Sequence, residues 1–431
     1  MADIVNDILR RRREHIAPGL SVLYSDDPIH VVRAAGQYLY DDSGAAYLDC
    51  MNNVPHVGHC HPRVADAVAR QFATLNTNSR LLYDQLAEYA ERLCALVPDP
   101  LEVCYFVNSG SEANELALRL MRAATGRRGV VALSGAYHGN TTSLVDISPY
   151  KFDGRGGQGR PRHVQVAPAP DAYRGPHRDE GAVESYTQEV DDALRRGERD
   201  GFAAGAFISE ALMGTAGQIH PPEGYLPGAY ARARDHGALV IADEVQVGFG
   251  RVGQEFWAFR AMGATPDILT LGKPIGNSYP LGAVITTREI AAEFDNGMEY
   301  FNTFGGSPVA CAAGLAVLDV LRDEELPEHA EKVGDHLLSR LRELGETHEA
   351  IGDVRGLGLF IGVEIVADRA TRTPASDVAR HIVTRLRAER ILISTDGPDD
   401  NVLKIKPPLA FDADDADRLA DAIHRALIAM E

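Results

Sequence analysis

Between residues 103 and 286 short apolar strings recur with helical stretches between them: VCYFVN, a helix from Ser111, GVVALS, HVQVA, a helix near 183–196, GAFISEA, a helix near 226–236, ALVIADEV, DILTLG and GAVITT. Strings this short, apolar almost throughout, suit strands buried on both faces. Strands that alternate with helices are joined by crossovers, so the pattern predicts a mostly parallel sheet covered by helices on both faces, an α/β fold. A chain of 431 residues is long enough for that core and for a second domain. The C-terminal third reads differently, with long charged helices, then LFIGVEIV, ILIS, VLKIK and a final helix from 412. This is expected to be a smaller α+β domain, joined by an N-terminal hairpin at 36–50 (GQYLYDDSGAAYLDC) that turns at Asp-Ser-Gly. The expected division is 1–55 for the N-terminal part of the small domain, 56–322 for the large domain and 323–431 for the rest of the small one. A helical pattern is read from Pro62 through Ala90, and Ser307-Pro308 opens a helix to about Arg322. Residues 154–162 and 168–181 read as surface loops.

The formal charge of −19 repels phosphate backbones, which argues against a nucleic-acid partner and requires local cations for any anionic ligand. The five cysteines form no CxxC pair and are odd in number, the pattern of reduced thiols in a cytosolic protein. The basic run Arg10 to Arg13 has no apolar segment behind it, so it is not a secretory signal. No stretch approaches the ~20 apolar residues of a membrane span. The expectation is a soluble cytoplasmic protein with no membrane partner.

Four features carry chemistry. Asn108-Ser109-Gly110-Ser111-Glu112-Ala113-Asn114 follows a strand and opens a helix, whose free N–H groups suit a phosphate, although the same residues form an ordinary cap. Ile241-Ala242-Asp243-Glu244-Val245 ends a buried strand in two acids, placed to ligand a metal, cap a loop or protonate a heterocycle. Leu269-Thr270-Leu271-Gly272-Lys273-Pro274 ends a strand in a lysine that Pro274 is expected to keep extended. Tyr137-His138-Gly139 offers an aromatic pair for stacking on a ring. Together they match the needs of pyridoxal 5′-phosphate (PLP): an amine for its aldehyde (Lys273), a carboxylate for its pyridine nitrogen (Asp243), an aromatic face and a phosphate cradle.

At these residues the sequence resembles the class III aminotransferases of the fold type I PLP enzymes. The resemblance spans almost the whole chain, through YLDCMNNVPHVGHCHP, SGSEAN, AYHG, IADEVQVGFGR, LGKP and FNTFGGSP. It implies a large domain with a seven-stranded, mostly parallel sheet and a smaller α+β domain. It further implies that Ser109, Gly110 and Ser111 bind the PLP phosphate, that Tyr137, with His138, lies against the ring, and that Val245 packs beneath it. Gln246 would reach the 3-hydroxyl, Glu210 would lie near the cofactor, and Thr303 would reach the phosphate of a neighbouring subunit. A shared site implies a homodimer. The run His59-Cys60-His61 occurs in the family without metal, and no metal is expected.

Family members that act on α-amino acids carry an arginine in an L-R-x-x-P-P stretch, where this chain reads Leu403-Lys404-Ile405-Lys406-Pro407-Pro408. Lysine cannot form arginine's planar two-pronged clamp on a carboxylate. DISPYKF, VAPAPDAYRG, GMEYFNTFGG and DGPDDNVLKIKPP are similar instead to the phospho-lyases of this family, which act on ethanolamine phosphate or 5-phosphohydroxy-lysine. That resemblance implies elimination of phosphate from a small phosphorylated amine, with release of an aldehyde and ammonia. Asn53, Arg80, Lys404 and Lys406 are the candidates for holding the substrate's phosphate, although Lys404 and Lys406 share one face of a strand that is also consistent with plain solvation. An ω-aminotransferase acting on an amine and a keto acid is the alternative.

Overall fold

A computed structural model describes residues 2–253 and 255–430. Its central seven-stranded sheet has the order Val103–Val107, Gly282–Thr286, Ile268–Leu271, Leu239–Asp243, Ala204–Ser209, Gly129–Leu133, Val164–Ala167. Gly282–Thr286 runs antiparallel to both neighbours and the other pairings are parallel. The α/β architecture expected from the apolar strings is therefore present. The strings are apolar on both faces because both are covered. Val130, Ala132, Ile208 and Ile241 pack with Leu116 and Leu120 of the helix Gly110–Thr125, while Val131, Leu133, Phe207 and Val240 pack with Tyr186, Val190 and Tyr225 on the other side.

Two smaller sheets flank this core. Val31–Ala35, Tyr38–Asp41 and Ala46–Asp49 form one with Ile391–Leu392, whose parallel pairing with Leu48 and Asp49 ties the N-terminal hairpin to the C-terminal third. Ile351–Leu357, Phe360–Asp368, Val402–Ile405 and Ser394–Asp396 belong to the other. The helix Pro308–Asp323 starts as expected, with the Ser307 side chain accepting the N–H of Ala310 at 3.4 Å.

The helical pattern read across 62–90 is in fact two helices, Pro62–Thr74 and Asp84–Cys94. Between them the Asn78 side chain accepts the backbone N–H of Arg80 at 3.1 Å, a local turn that competes with helix, and Leu81 and Leu82 face outward. The helix Ala2–His15 and the strand Ile351–Leu357 are additional to the sequence expectation. Among the described residues no helix is long and apolar enough to cross a membrane.

Candidate active site

The parallel strands end on one edge of the sheet, where the loops that follow them surround a cleft of about 310 Å³. Ser109, Gly110, Ser111, Tyr137, His138, Glu210, Asp243, Val245, Gln246 and Lys273 all line it. These residues span more than 160 positions of sequence, and the parallel topology is what gathers them.

Successive side chains of a strand point to opposite faces, and this separates the two acids. Asp243 faces the cleft. Its Oδ2 accepts from Asn114 Nδ2 at 2.8 Å and His138 Nδ1 at 2.9 Å, and its Oδ1 accepts the Val245 N–H at 3.1 Å. These contacts fix the position of the carboxylate at the cleft. Glu244 points away and accepts the N–H groups of Ala258 and Phe259 at 3.0 and 2.8 Å; burial raises its carboxyl to about 8. The in-plane Nδ1 of His138 is held by Asp243 while the residue lines the cleft. Asn114 was in view in the SGSEAN motif without a role. It lies one helical turn beyond Gly110, on the side of the helix that faces the strand ends.

Lys273 follows the strand Ile268–Leu271 but is not extended. Its φ is +33°, and the chain turns at once into a 3₁₀ segment, Lys273–Gly276, closed by Ile275 N–H to Gly272 C=O at 3.1 Å. Proline disfavours the right-handed α region for the preceding residue but does not force extension, and this tight turn requires a left-handed residue. Burial lowers the pKa of the Lys273 amine, Asp243 and Glu210 oppose that shift, and Lys404 adds to it. A neutral, nucleophilic amine is thus easier to reach than on an exposed lysine.

Close to the Lys273 turn Ser109 caps the helix Gly110–Thr125, its side chain accepting the Glu112 N–H at 3.1 Å. The amides of Gly110 and Ser111 have no acceptor within the helix and are available to an anion. A Cβ on Gly110 would fall 2.8 Å from Val245 Cγ2, so the space between helix and strand end exists only for glycine. Tyr137 lies at the rim with its ring edge-on to Tyr150, 5.8 Å between centroids. A buried reactive amine, a fixed carboxylate, a free amide pair and an aromatic side chain on one cleft fit PLP.

Glu210 closes one end of the cleft. Burial and the nearby Asp243 raise its carboxyl to about 7, against the opposing charges of His138 and Lys406. It accepts from Gln246 Nε2 at 3.2 Å and from the Gly214 N–H at 3.3 Å. Of the phosphate candidates, Asn53 and Lys406 reach the cleft wall through Gln246, at 3.4 and 3.0 Å from its Oε1. Lys406 lies past the strand Val402–Ile405 and is only 1% exposed, so the reading of a solvated strand face does not apply to it. Lys404 is partly exposed, with its Nζ 3.5 Å from Asp396. Arg80 is outside the cleft, paired with Glu299 and 4.1 Å from the Phe301 ring centroid. Thr303 is exposed beside Phe304 and does not line the cleft. Asp396 was not foreseen as part of this neighbourhood, although it opens the segment DGPDDNVLKIKPP. Among the described residues no cluster of His, Cys, Asp or Glu could hold a metal ion.

The class-III aminotransferase family profile matches residues 22–427. An alanine–glyoxylate aminotransferase 2-like protein of Drosophila melanogaster is 46% identical over 98% of this chain and 87% of its own length. Ethanolamine-phosphate phospho-lyase homolog 1 of Caenorhabditis elegans is 43% identical over 98% of this chain and 94% of its own. Among solved structures, a phospholyase from Arthrobacter in complex with phosphoethanolamine superposes with a TM-score of 0.94 at 39% identity, covering 98% of this chain and 100% of that one. A PLP-bound amine transaminase from an uncultivated Pseudomonas species gives 0.87 at 30% identity, over 96% and 98% of the two chains. The chain is thus a fold type I PLP enzyme and belongs to the class III aminotransferase family.

Proposed function

We propose that this enzyme is a phospho-lyase that converts O-phosphoethanolamine and water to acetaldehyde, ammonia and inorganic phosphate. The observation that carries the reading is Lys404, partly exposed beside the cleft at the position where aminotransferases of the family commonly hold an arginine. Lys404 is a compact point charge, partly exposed with its Nζ 3.5 Å from Asp396, which suits a phosphate better than the flat carboxylate of an α-amino acid. The likeness to a phospholyase complexed with phosphoethanolamine supports the same substrate class.

In this reading Lys273 holds the cofactor's aldehyde, Asp243 pairs with its ring nitrogen, and Gly110 and Ser111 give their amides to its phosphate. Tyr137 and Val245 cover its ring and Gln246 reaches its hydroxyl. When bound, PLP supplies the electron sink that makes the Cα–H of a bound amine acidic. The Lys273 amine, its pKa lowered by burial, takes that proton. Lys404, with Arg80 as a second candidate, balances the charge that develops as the Cβ–O bond breaks and phosphate leaves. Arg80 and Thr303 lie outside the cleft of their own protomer, and a homodimer is the arrangement that would bring them to a neighbour's. The free thiols of all five cysteines are in keeping with a reducing compartment such as the cytoplasm.

Two other readings are the same elimination on 5-phosphohydroxy-lysine and ω-amino transfer; the Drosophila relative's name favours amino transfer in general. One assay separates all three. Phosphoethanolamine without any keto acid should yield acetaldehyde, ammonia and phosphate in equal amounts, and ethanolamine should be a very poor substrate. Faster phosphate release from phosphohydroxylysine would move the assignment to the sibling activity. No phosphate release, with conversion of pyruvate or 2-oxoglutarate to its amino acid, would return it to amino transfer.

A further inference from the structure

Lys404 and Lys406 are two positions apart and have different surroundings. Lys404 is 24% exposed in its side chain, and the carboxylate of Asp396 is 3.5 Å from its Nζ. Lys406 is enclosed. Its Nζ donates to Gln246 Oε1 at 3.0 Å, lies 4.0 Å from Asp396 and stands 5.1 Å from the ring centroid of Phe360. Asp396 is in turn held by Gln218 Nε2 at 2.6 Å, Gln218 donates to Gly214 C=O at 2.9 Å, and Gly214 donates its N–H to Glu210 at 3.3 Å. Gln246 Nε2 donates to the same Glu210 at 3.2 Å. These contacts close a ring: Glu210, Gln246, Lys406, Asp396, Gln218, Gly214 and back to Glu210.

The ring sets which way the Gln246 amide points. Burial and the neighbouring Lys404 lower the pKa of Lys406 while Asp396 and Glu210 oppose that shift, and with the Asp396 carboxylate 4.0 Å away the charged form, which donates and accepts nothing, faces an amide oxygen. The amide NH₂ then faces Glu210, with its second hydrogen left for an acceptor in the cleft. The opposite rotamer would put NH₂ against the ammonium and an oxygen toward the cleft. Glu210 cannot enforce the choice by itself. A carboxyl accepts from an amide N–H when ionised and donates to an amide oxygen when protonated, and burial pushes Glu210 toward the protonated form.

We propose that Lys406 is a positioning residue that holds the Gln246 amide with its NH₂ toward the cofactor cleft, and that Lys406 does not bind the substrate's phosphate. The cation left for that phosphate is Lys404; this last clause alone rests on the phospho-lyase reading. The orientation of Gln246 matters whichever amine is the substrate, because Gln246 lines the cleft and Lys406 reaches it only through Gln246.

The test compares wild-type, Lys406→Met, Lys404→Met, Gln246→Met and the Lys406→Met/Gln246→Met double variant as holoenzymes. PLP affinity is measured by reconstitution, together with the visible absorption spectrum and the KM for phosphoethanolamine. Lys406→Met should weaken PLP about tenfold and shift the visible band, leaving KM within about twofold. Lys404→Met should do the reverse, raising KM about tenfold or more with PLP affinity within about twofold. Because Lys406 acts through Gln246, the PLP losses of Lys406→Met and Gln246→Met should not add in the double variant. The inference is overturned if Lys406→Met leaves PLP affinity and spectrum unchanged, or if the two losses are additive. Should Lys406→Met not fold, Lys406→Leu, which likewise donates no hydrogen bond, carries the same readouts. If wild-type enzyme releases no phosphate, the phospho-lyase reading fails by itself. The PLP readouts still decide the role of Lys406, and KM is then taken with the amine that is turned over.

Discussion

Gly110→Ala adds one methyl group at the point where helix, strand end and cofactor cleft meet. A Cβ there lies 2.8 Å from Val245 Cγ2 and 2.9 Å from Cγ1. Comfortable carbon–carbon contact begins near 3.5 Å, so roughly 0.6–0.7 Å must be found. A third backbone crowds the same point, since a Cβ built on Gly272 would come within 3.0 Å of Gly110 N and Cα and 3.1 Å of Val245 Cγ1. Either Val245 moves, disturbing the N–H that it donates to Asp243, or the helix start lifts and carries the Gly110 and Ser111 amides with it. Overpacking of this kind costs about 1–3 kcal/mol. If that falls wholly on the cofactor site, PLP affinity drops about five- to 150-fold; whatever part falls on the fold appears as a lowered melting temperature of the apoenzyme. The measurements are a PLP titration and a thermal melt of the apoenzyme, with Gly19→Ala as control, since nothing lies within 4 Å of a Cβ at Gly19. A Gly110→Ala enzyme that binds PLP within twofold of wild type and melts at the same temperature refutes the close-packed cradle.

Borohydride reduction of the holoenzyme should attach PLP to the peptide carrying Lys273, and Lys273→Ala should carry none; a label on Lys151 or Lys404 would move the attachment site. Asp243 raises the pKa of the Lys273 amine, so Asp243→Asn should lower it and keep the amine neutral to more acidic pH. The pH profile of PLP capture by the apoenzyme, followed by stopped-flow absorbance, should therefore shift to the acid side, and a shift to the alkaline side or none contradicts the assignment. Turnover by the same variant should fall about 10²–10³-fold, and near-normal turnover would make Asp243 structural. Leu82 and Phe304 are exposed at 103% and 70%, so Leu82→Asp with Phe304→Asp should yield monomers by light scattering if this face joins two copies, and an unchanged dimer refutes that use of it.

Much of the site was legible because its signals are local. A strand ending in Asp243, a strand ending in Lys273 and a capped helix start at Ser109 are each contained in a few consecutive residues, and the parallel topology that the apolar strings imply brings such ends to one edge. The side-chain alternation of a strand also sends Asp243 and Glu244 to opposite faces, so one acid is free for the cleft and the other is used as a cap. Those facts were in the sequence from the start.

What the tertiary structure decided depends on contacts between distant segments. Asn114 and Asp243 are 129 positions apart, and Lys406 and Gln246 are 160 apart. No periodicity encodes either pair, because each is set by how two elements pack rather than by the residues beside them. The turn at Lys273 went unread for a related reason: Pro274 excludes one backbone region, and the geometry of the cleft selects among those that remain. The two lysines of LKIK show the same limit most clearly. The strand pattern puts Lys404 and Lys406 on one face, and only the packing of Phe360, Asp396 and Gln246 around the second makes it a buried member of the active-site wall while the first stays at the edge.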